Sequence, residues 1–457
     1  MKKDLGITEG PLFFKIFKFA IPIIFTGLLQ ICYTMADNIV VGRFSGDVNA
    51  LGAVGSTGSL VNLTTQLLLG LSAGSSVVVA QGFGAKRESE VSRAVHTAMT
   101  TALVGGIFFG LLGIIISHPI LSVMGTKPEL FEGAKLYYRI ICIGVPASAL
   151  YNYGAAILRS VGDSKTPLII LGFSGLLNVI LNLVFVIIFD MTVDGVAIAT
   201  IASQYLSAIL VIFVLCKRKN ECYALSRKKF CFDIQLFKRI LRLGVPAGVQ
   251  SSLFGLSNVL MTSGINTLPI VAIKANPIAS NIDSIAATMC GAFSSTAMTF
   301  IGQNYGAKKL DRIKKSFLYT IIQASVITLA VSLIMLIFAE DLAYIFIDAD
   351  DPLKAEVAKT VKEISTLMLS VYFIGAIMDT VSAAVKALGY SITPMIISLM
   401  GICGLRIIWI YFLFPLEPLN SITGLFLIYP ITWIITTTGH FITWFVAMRK
   451  AKKLFNS

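Results

Sequence analysis

Long apolar runs alternate with short polar segments along the whole chain. Four stretches, 94–126, 166–189, 316–339 and 418–448, contain no Asp, Glu, Lys or Arg. Each is longer than the roughly twenty apolar residues that an α-helix needs to cross the hydrocarbon core of a bilayer. Counting all runs of this kind predicts twelve transmembrane helices, centred near residues 28, 66, 105, 148, 178, 205, 252, 289, 327, 373, 403 and 433.

The amino-acid composition supports this interpretation. Of the 457 residues, 56% are hydrophobic and only 13% are charged, whereas a soluble protein normally carries about a quarter charged residues. The first apolar run, 19–35, is longer than a signal-peptide core and lacks a small-residue cleavage pattern, so we expect it to be retained. The chain is therefore expected to be an all-α integral membrane protein.

The net charge of +13 is distributed unevenly between the segments that join the predicted spans. If both termini are cytoplasmic, the inner segments hold 28 of the 37 Lys and Arg residues and the outer segments hold eight. This asymmetry follows the positive-inside rule. We therefore expect cytoplasmic termini, a bacterial or archaeal plasma (inner) membrane, contact of the basic excess with anionic lipid, and no binding of nucleic acid.

Three short segments occur twice, in the same order and at nearly one offset. Such self-similarity indicates a duplicated half of the chain. Each half contains six predicted spans, an even number, so the repeat is parallel and related by a pseudo-two-fold axis along the membrane normal. The paired segments are 18–22 with 242–246, 81–86 with 303–308, and 159–167 with 386–394, at offsets of 224, 222 and 227.

The repeat also predicts how the chain is divided. We expect an amino-terminal lobe over 1–216 with spans one to six, and a carboxy-terminal lobe over 239–457 with spans seven to twelve. The basic stretch 217–238 is the predicted cytoplasmic linker. Two lobes around a central polar site suit alternating access, in which the site opens to one face of the membrane and then to the other.

Four segments in this order resemble the multidrug and toxic compound extrusion (MATE) family, within a superfamily that also contains flippases. They are 33–43 late in span one, 80–85 after span two, 158–167 between spans four and five, and 302–308 after span eight. The resemblance covers nearly the whole chain. It implies a V-shaped exporter of twelve helices, active as a monomer, that exchanges sodium ions or protons for cationic or amphipathic organic compounds.

Only three carboxylates lie deep within the predicted spans: Asp37, Asp283 and Asp379. A charged side chain at the bilayer centre costs at least about 2.5 to 3.5 kcal/mol on insertion scales, so such residues usually serve an ion or a substrate. Asp37 is our first candidate. The alternative is a structural carboxylate near the outer interface, paired with Arg43.

Asp37 also matches the acidic residue of the family's first helix. The resemblance then implies a monovalent cation or proton site that adds Asn178, Asn182 and Thr200, whose oxygens suit sodium. Where family members often have a second Asp, this chain has Asn182, which weakens a proton relay between two carboxylates. The plainer interpretation of the asparagines is hydrogen bonding between helices.

Further candidates could line a substrate cavity or allow bending. Gln30 lies two helical turns before Asp37 on the same face. In the carboxy-terminal half, Asp379 could face the cavity with help from Asp283. Alternatively, it could belong to a glycine-flexed helix end or contact Arg406. Pro22 interrupts span one, and it could act as a hinge or cause a static kink. The predicted cavity residues are Gln30, Tyr33, Asn152, Asp283 and Asp379.

The sequence contains no recognisable machinery for covalent chemistry. Neither a P-loop nor a dinucleotide-binding motif occurs, and no nucleophile elbow, HExxH or triad signature is present. We therefore expect no enzymatic activity and no cofactor, and an ion gradient as the energy source. The leading hypothesis is a drug exporter coupled to sodium ions or protons. The alternative is a flippase for a lipid-linked or amphipathic precursor.

Overall fold

A computed structural model describes residues 6–44, 50–347 and 351–456. Its regular elements are all helical within these ranges, as the apolar runs predict. They are α1 (Phe13–Phe44), α2 (Ala50–Gly84), α3 (Glu88–Val123), α4 (Pro128–Ser160), α5 (Lys165–Ile188), α6 (Val193–Lys217), α7 (Ile234–Ile265), α8 (Ile270–Gly306), α9 (Leu310–Ile337), α10 (Ala339–Phe346), α11 (Lys354–Leu369), α12 (Tyr372–Ala387), α13 (Ile392–Leu413) and α14 (Ile422–Asn456).

The predicted spans are found among these helices. Ten of the described helices are long and apolar enough to cross a membrane, and α11 with α12 forms an eleventh span that is bent by 42°. The helix α7, at the position of the predicted seventh span, is not among these eleven: it has 32 residues, but Gln250, Asn258 and several serines make it more polar than the others. The short helix α10 lies between spans nine and ten.

The duplication is visible in the backbone where helices end. Lys86 and Lys308, which are equivalent in the repeat, both adopt left-handed conformations with φ of 56° and 58°. Gly162 and Gly389, equivalent at the third repeated segment, both have a φ of 95°. Only glycine adopts such a conformation without a steric penalty. Equivalent helices of the two halves therefore end in the same backbone conformation, as a duplication predicts.

The described chain forms two compact units, and the boundaries between them fall within α1 and within α7. The amino-terminal unit comprises Phe25–Ser252, and the carboxy-terminal unit comprises Gly6–Ile24 with Leu253–Ser457. The first part of α1 thus belongs to the second unit, and the first part of α7 belongs to the first unit. The predicted lobes follow the sequence repeat instead, and their action as separate bodies stays a prediction.

Small residues hold the beginning of α7 inside the amino-terminal unit. Gly70 and Gly74 of α2 lie directly against the backbone of Gly248 and Gly244 of α7, and a Cβ atom at any of these positions would be tightly crowded. Close backbone approach through small residues is how membrane helices associate, because lipid gives no hydrophobic force between them. In this contact the two helix backbones meet without large side chains between them.

Candidate functional site

The structure brings four of the predicted site residues together inside the amino-terminal unit. Asp37 of α1 is half-buried, and its Oδ1 accepts a hydrogen bond from Nδ2 of Asn182 on α5. The side chains of Asn178 and Thr200 also interact with this carboxylate. Because Asn178 and Asn182 are 4% and 0% exposed, the cluster is closed on the side of α5.

Two oxygen atoms of this cluster can still accept a hydrogen bond or coordinate a cation. Oδ1 of Asn182 is buried and has no hydrogen-bond partner among the described residues. Oγ1 of Thr200 donates its proton to the carbonyl of Val196 at 2.9 Å, which leaves its lone pairs free. A buried acceptor without a donor is costly, and it is rare in folded proteins. A cation between these oxygens would satisfy them.

Tyr33 acts as a spacer that sets α1 against α5. Its hydroxyl donates to the carbonyl of Gly172 at 3.3 Å, and its ring lies directly on Gly175, where a Cβ would collide with it. Tyr33 lies one turn before Asp37, and Gly175 lies two turns before Asn182. The ring-on-glycine contact therefore fixes the register in which Asp37 meets Asn182. Predicted as a cavity residue, Tyr33 makes a helix-packing contact here.

Gln30 and Asn152 lie apart from the Asp37 cluster. Gln30 is exposed on α1. Asn152 is buried on α4, but its Nδ2 donates to the carbonyl of Ser148 in the same helix at 2.9 Å. Arg43, the alternative partner of Asp37, has a side chain outside the described part of the structure. A cavity role for Gln30 and Asn152 stays a prediction.

One neighbour of Asp37 was missed by the sequence analysis. Tyr137 of α4 is buried, and it interacts electrostatically with the Asp37 carboxylate. Nothing in its sequence context sets it apart from the other thirteen of the 14 tyrosines. Its proximity depends on how α4 packs in the unit, so only the folded chain reveals it.

The carboxy-terminal unit arranges its charges differently. Asp283 of α8 is half-buried, and its Oδ1 is buried with no partner in the described chain. It interacts electrostatically with Tyr372 at the start of α12 and with Tyr429 of α14. Asp379 faces Lys386, seven residues later on the same helix. Asp379 also interacts electrostatically with Tyr372, so the two carboxylates share this neighbour and differ in their other ones.

Arg406 does not make the suggested contact with Asp379. Within the described residues its Nη1 donates to Oγ of Ser257 at 2.8 Å, and its guanidinium lies 4.0 Å from the centroid of the Tyr429 ring. The described ion pairs do not include one for Arg406. Of the roles left open for Asp379, contact with Arg406 is therefore not supported, and the cavity role stays a prediction.

Pro22 lies buried in α1, which continues as a helix through it. Proline removes one backbone hydrogen bond and thereby eases bending. The chain passes from one compact unit to the other between Ile24 and Phe25, just two residues further on. The hinge role of Pro22 stays a prediction, and the position of this transition favours it.

A salt bridge joins the turn before α5 to the residue that follows α6. Asp163, in the turn before α5, accepts hydrogen bonds from Thr166 and from the Arg218 guanidinium. Burial alone would raise the pKa of Asp163, but these hydrogen bonds outweigh it and lower the pKa below its usual value. At the corresponding turn of the carboxy-terminal unit, Lys450 instead lies 5.6 Å from the centroid of the Tyr390 ring.

Comparison with known proteins places this architecture in a family. A family model described as MatE matches residues 22–184 and 246–412. The two stretches begin 224 residues apart (246 minus 22), which is the offset of the first repeated segment. The model thus covers each half of the duplicated chain once.

Individual relatives and structures agree with the family model. The chain is 27% identical over 395 residues to the probable multidrug resistance protein YoeA of Bacillus subtilis, covering 85% of this chain and 84% of the relative. It is 25% identical over 404 residues to the probable multidrug resistance protein NorM of Thermotoga maritima, covering 86% and 84%. A crystal structure of a MATE in complex with MaL6 superposes with a TM-score of 0.90 at 20% identity, covering 99% of this chain and 100% of that one.

The chain belongs to the MatE family of multi-pass membrane transporters. The resemblance drawn from its motifs is confirmed, and so is the fold class. Members of this family are transporters and not enzymes, as the absence of catalytic motifs from the sequence leads one to expect.

Proposed function

We propose that this transporter exports amphipathic or cationic organic compounds in exchange for Na⁺ or H⁺, by alternating access. The observation that carries the proposal is the Asp37 cluster, in which one carboxylate meets Asn178, Asn182 and Thr200. The relatives named as probable multidrug resistance proteins support organic compounds as the cargo. The protein acts as a monomer in the plasma membrane, with both termini in the cytoplasm.

The composition of the cluster favours sodium over a proton. Sodium prefers hard oxygen ligands, and the cluster offers carboxylate, amide and hydroxyl oxygens, one of them the unpartnered Oδ1 of Asn182. A proton relay would be helped by a second carboxylate, and Asn182 occupies the adjacent position. Binding a cation there neutralises Asp37, and this lowers the cost of holding the carboxylate inside the membrane.

Occupancy of the cluster can act on the helices that form it. The ligands come from α1, α5 and α6, so a bound ion ties α1 to the other two. Release of the ion leaves a charged carboxylate, which favours water access to the cluster. Pro22 lies four turns before Asp37 in the same helix, where bending is easiest. In this mechanism the ion biases two conformations of α1.

The test is ethidium export from cells that express the chain, with the sodium and proton gradients dissipated separately. We expect export to stop when the sodium gradient is removed, and Asp37→Asn to lose export while still inserting in the membrane. The matched control is Asp190→Asn, which removes an exposed carboxylate and keeps a residue that tolerates the φ of 53° found there. Export that persists without either gradient, or at parental rate in Asp37→Asn, would reject the mechanism.

A further inference from the structure

Arg406 is a buried cation in the membrane-spanning part of the carboxy-terminal unit. It is 3% exposed, and no carboxylate of the described chain lies within ion-pair distance of it. Basic side chains at this depth are costly, and they normally pair or serve a ligand. Packing on the Tyr429 ring offsets part of that cost through a cation-π interaction, but it supplies no hydrogen-bond acceptor in the plane of the guanidinium.

The unused donors of Arg406 form a defined pair. Nη1 is engaged with Ser257, whereas Nε is buried and has no partner in the described chain. Nη2 lies beside Nε in every arginine, and the described structure gives it no hydrogen bond either. Nε and Nη2 are the two parallel donors to which a carboxylate binds in bidentate fashion. The guanidinium is therefore set up to receive one further planar anion.

Two further charged groups lie near Arg406: the amino-terminal end of α12, which is partly positive, and the carboxylate of Asp283. Arg406 interacts electrostatically with Tyr372, the first residue of α12. That helix begins at the 42° break of the tenth span, and its amino-terminal end carries partial positive charge. Asp283 approaches the same two tyrosines, Tyr372 and Tyr429, so opposite charges flank one aromatic group.

The repeat provides no equivalent of Arg406 in the first half. At the offset of the third repeated segment, which lies just before both positions, Arg406 corresponds to Val179 (406 minus 227). At the offset of the first repeated segment, Asp37 corresponds to the buried Met261 (37 plus 224). The two halves thus carry their interior charges at different positions, and a buried cation at this place is a feature of the second half alone.

The helix that carries Arg406 is also irregular. Residues Leu405–Ile408 are α-helical, but π-helical turns flank them at Leu399–Gly404 and Trp409–Leu413. Such turns are rare, and they occur frequently at functional sites. Together with the break before Tyr372, they provide a backbone that can open around the buried guanidinium.

We propose that Arg406 and the start of α12 bind the carboxylate of a zwitterionic aromatic substrate, with Asp283 holding its ammonium group. The ring of the substrate packs on Tyr372, Tyr429 and Trp433, whose side chains already contact one another edge to face. Entry of the substrate requires α11 and α12 to separate at their break. This inference rests on the proposed export of organic compounds and names a substrate class for it.

The test measures binding to the purified full-length protein, so it does not depend on export. The probes are norfloxacin, which has a carboxylate and an ammonium group, its ethyl ester, which lacks the carboxylate, and ethidium. We expect the parent protein to prefer the acid to the ester, and Arg406→Gln to bind the acid about ten- to hundredfold more weakly. The ester and ethidium should bind Arg406→Gln as they bind the parent.

Matched variants separate recognition from general damage. Arg406→Lys keeps the charge without the two parallel donors, so it should restore only part of the affinity for the acid. Lys386→Gln removes another cation from a span of the same unit and should leave acid and ester unchanged. Asp283→Asn should weaken acid and ester equally, because both retain the ammonium group.

Two results would overturn the inference: no preference of the parent for acid over ester, or equal losses for acid and ester in Arg406→Gln. The first comparison needs no variant, so it holds even if Arg406→Gln fails to fold. Failure of the proposed function would give a different result. In that case cells that express the parent chain would export neither ethidium nor norfloxacin, even if the purified protein binds them.

Discussion

Inside the membrane, the amino-terminal unit holds one carboxylate among neutral amide and hydroxyl groups, whereas the carboxy-terminal unit holds both carboxylates and cations. The turns at Lys86 and Lys308 have the same backbone conformation in the two halves. The interior chemistry differs, because Asp37 has no acidic counterpart and Arg406 has no basic one. The two units thus share helix-ending turns but differ in interior charge, which is why we propose different ligands for them.

The largest expected effect concerns sodium binding to the purified protein. We expect sodium chloride to raise the melting temperature of the parent by several degrees relative to choline chloride, because an ion bound at 100 times its Kd stabilises by about 2.7 kcal/mol. Asp37→Asn should lose this increment, and Asp283→Asn should keep it. If only Asp283→Asn lost this rise in melting temperature, the sodium site would lie in the carboxy-terminal unit instead. A parent that sodium does not stabilise would point to protons.

A smaller effect is expected from the contact that positions Asp37. Gly175→Ala forces Tyr33 away from α5, and overpacking of this kind costs about 1–3 kcal/mol. The same displacement separates Asp37 from Asn182, so sodium should bind more weakly in this variant. Melting curves recorded across a sodium titration measure both quantities at once.

Gly172→Ala is the control for Gly175→Ala, since a Cβ at Gly172 meets open space. It should change stability by less than about 1 kcal/mol and in the favourable direction, because alanine is the better helix former. Its sodium affinity should equal that of the parent. Equal behaviour of the two alanine variants would show that Tyr33 does not set the position of Asp37.

The last two variants compare the equivalent turns before α5 and before α13, and Lys450→Gln has the smaller effect of the two. Asp163→Asn leaves Arg218 without its carboxylate, and the side chains of this pair are only 19% and 17% exposed. We expect a loss of about 1–3 kcal/mol, seen as a lower melting temperature. Lys450→Gln removes an exposed cation from the Tyr390 ring and should cost about 1 kcal/mol or less.

The stability lost in Asp163→Asn should depend on pH in a defined direction. The folded pKa of Asp163 lies below its unfolded value, so the salt bridge contributes fully above about pH 4. The difference in melting temperature between the parent and Asp163→Asn should therefore be constant from pH 8 to pH 5. It should shrink as the pH falls through the lowered pKa. A difference that grows on acidification would contradict the assignment.

The sequence predicted the features that depend on local pattern. Twelve spans followed from apolar runs, and Asp37 stood out because carboxylates are rare within them. The break before Tyr372 was not predicted, since its apolar context reads as one continuous span and the bend depends on tertiary packing. The salt bridge between Asp163 and Arg218 was missed for a similar reason: 55 residues separate its members.

The position of the unit boundaries within α1 and α7 also bears on biosynthesis. When the ribosome has delivered residues 25–217, the amino-terminal unit still lacks 234–252, whose glycines pack on α2. The segment Gly6–Ile24, made first, must wait for the second half of the chain before its own unit exists. Neither unit can therefore be completed during translation of its own half of the chain.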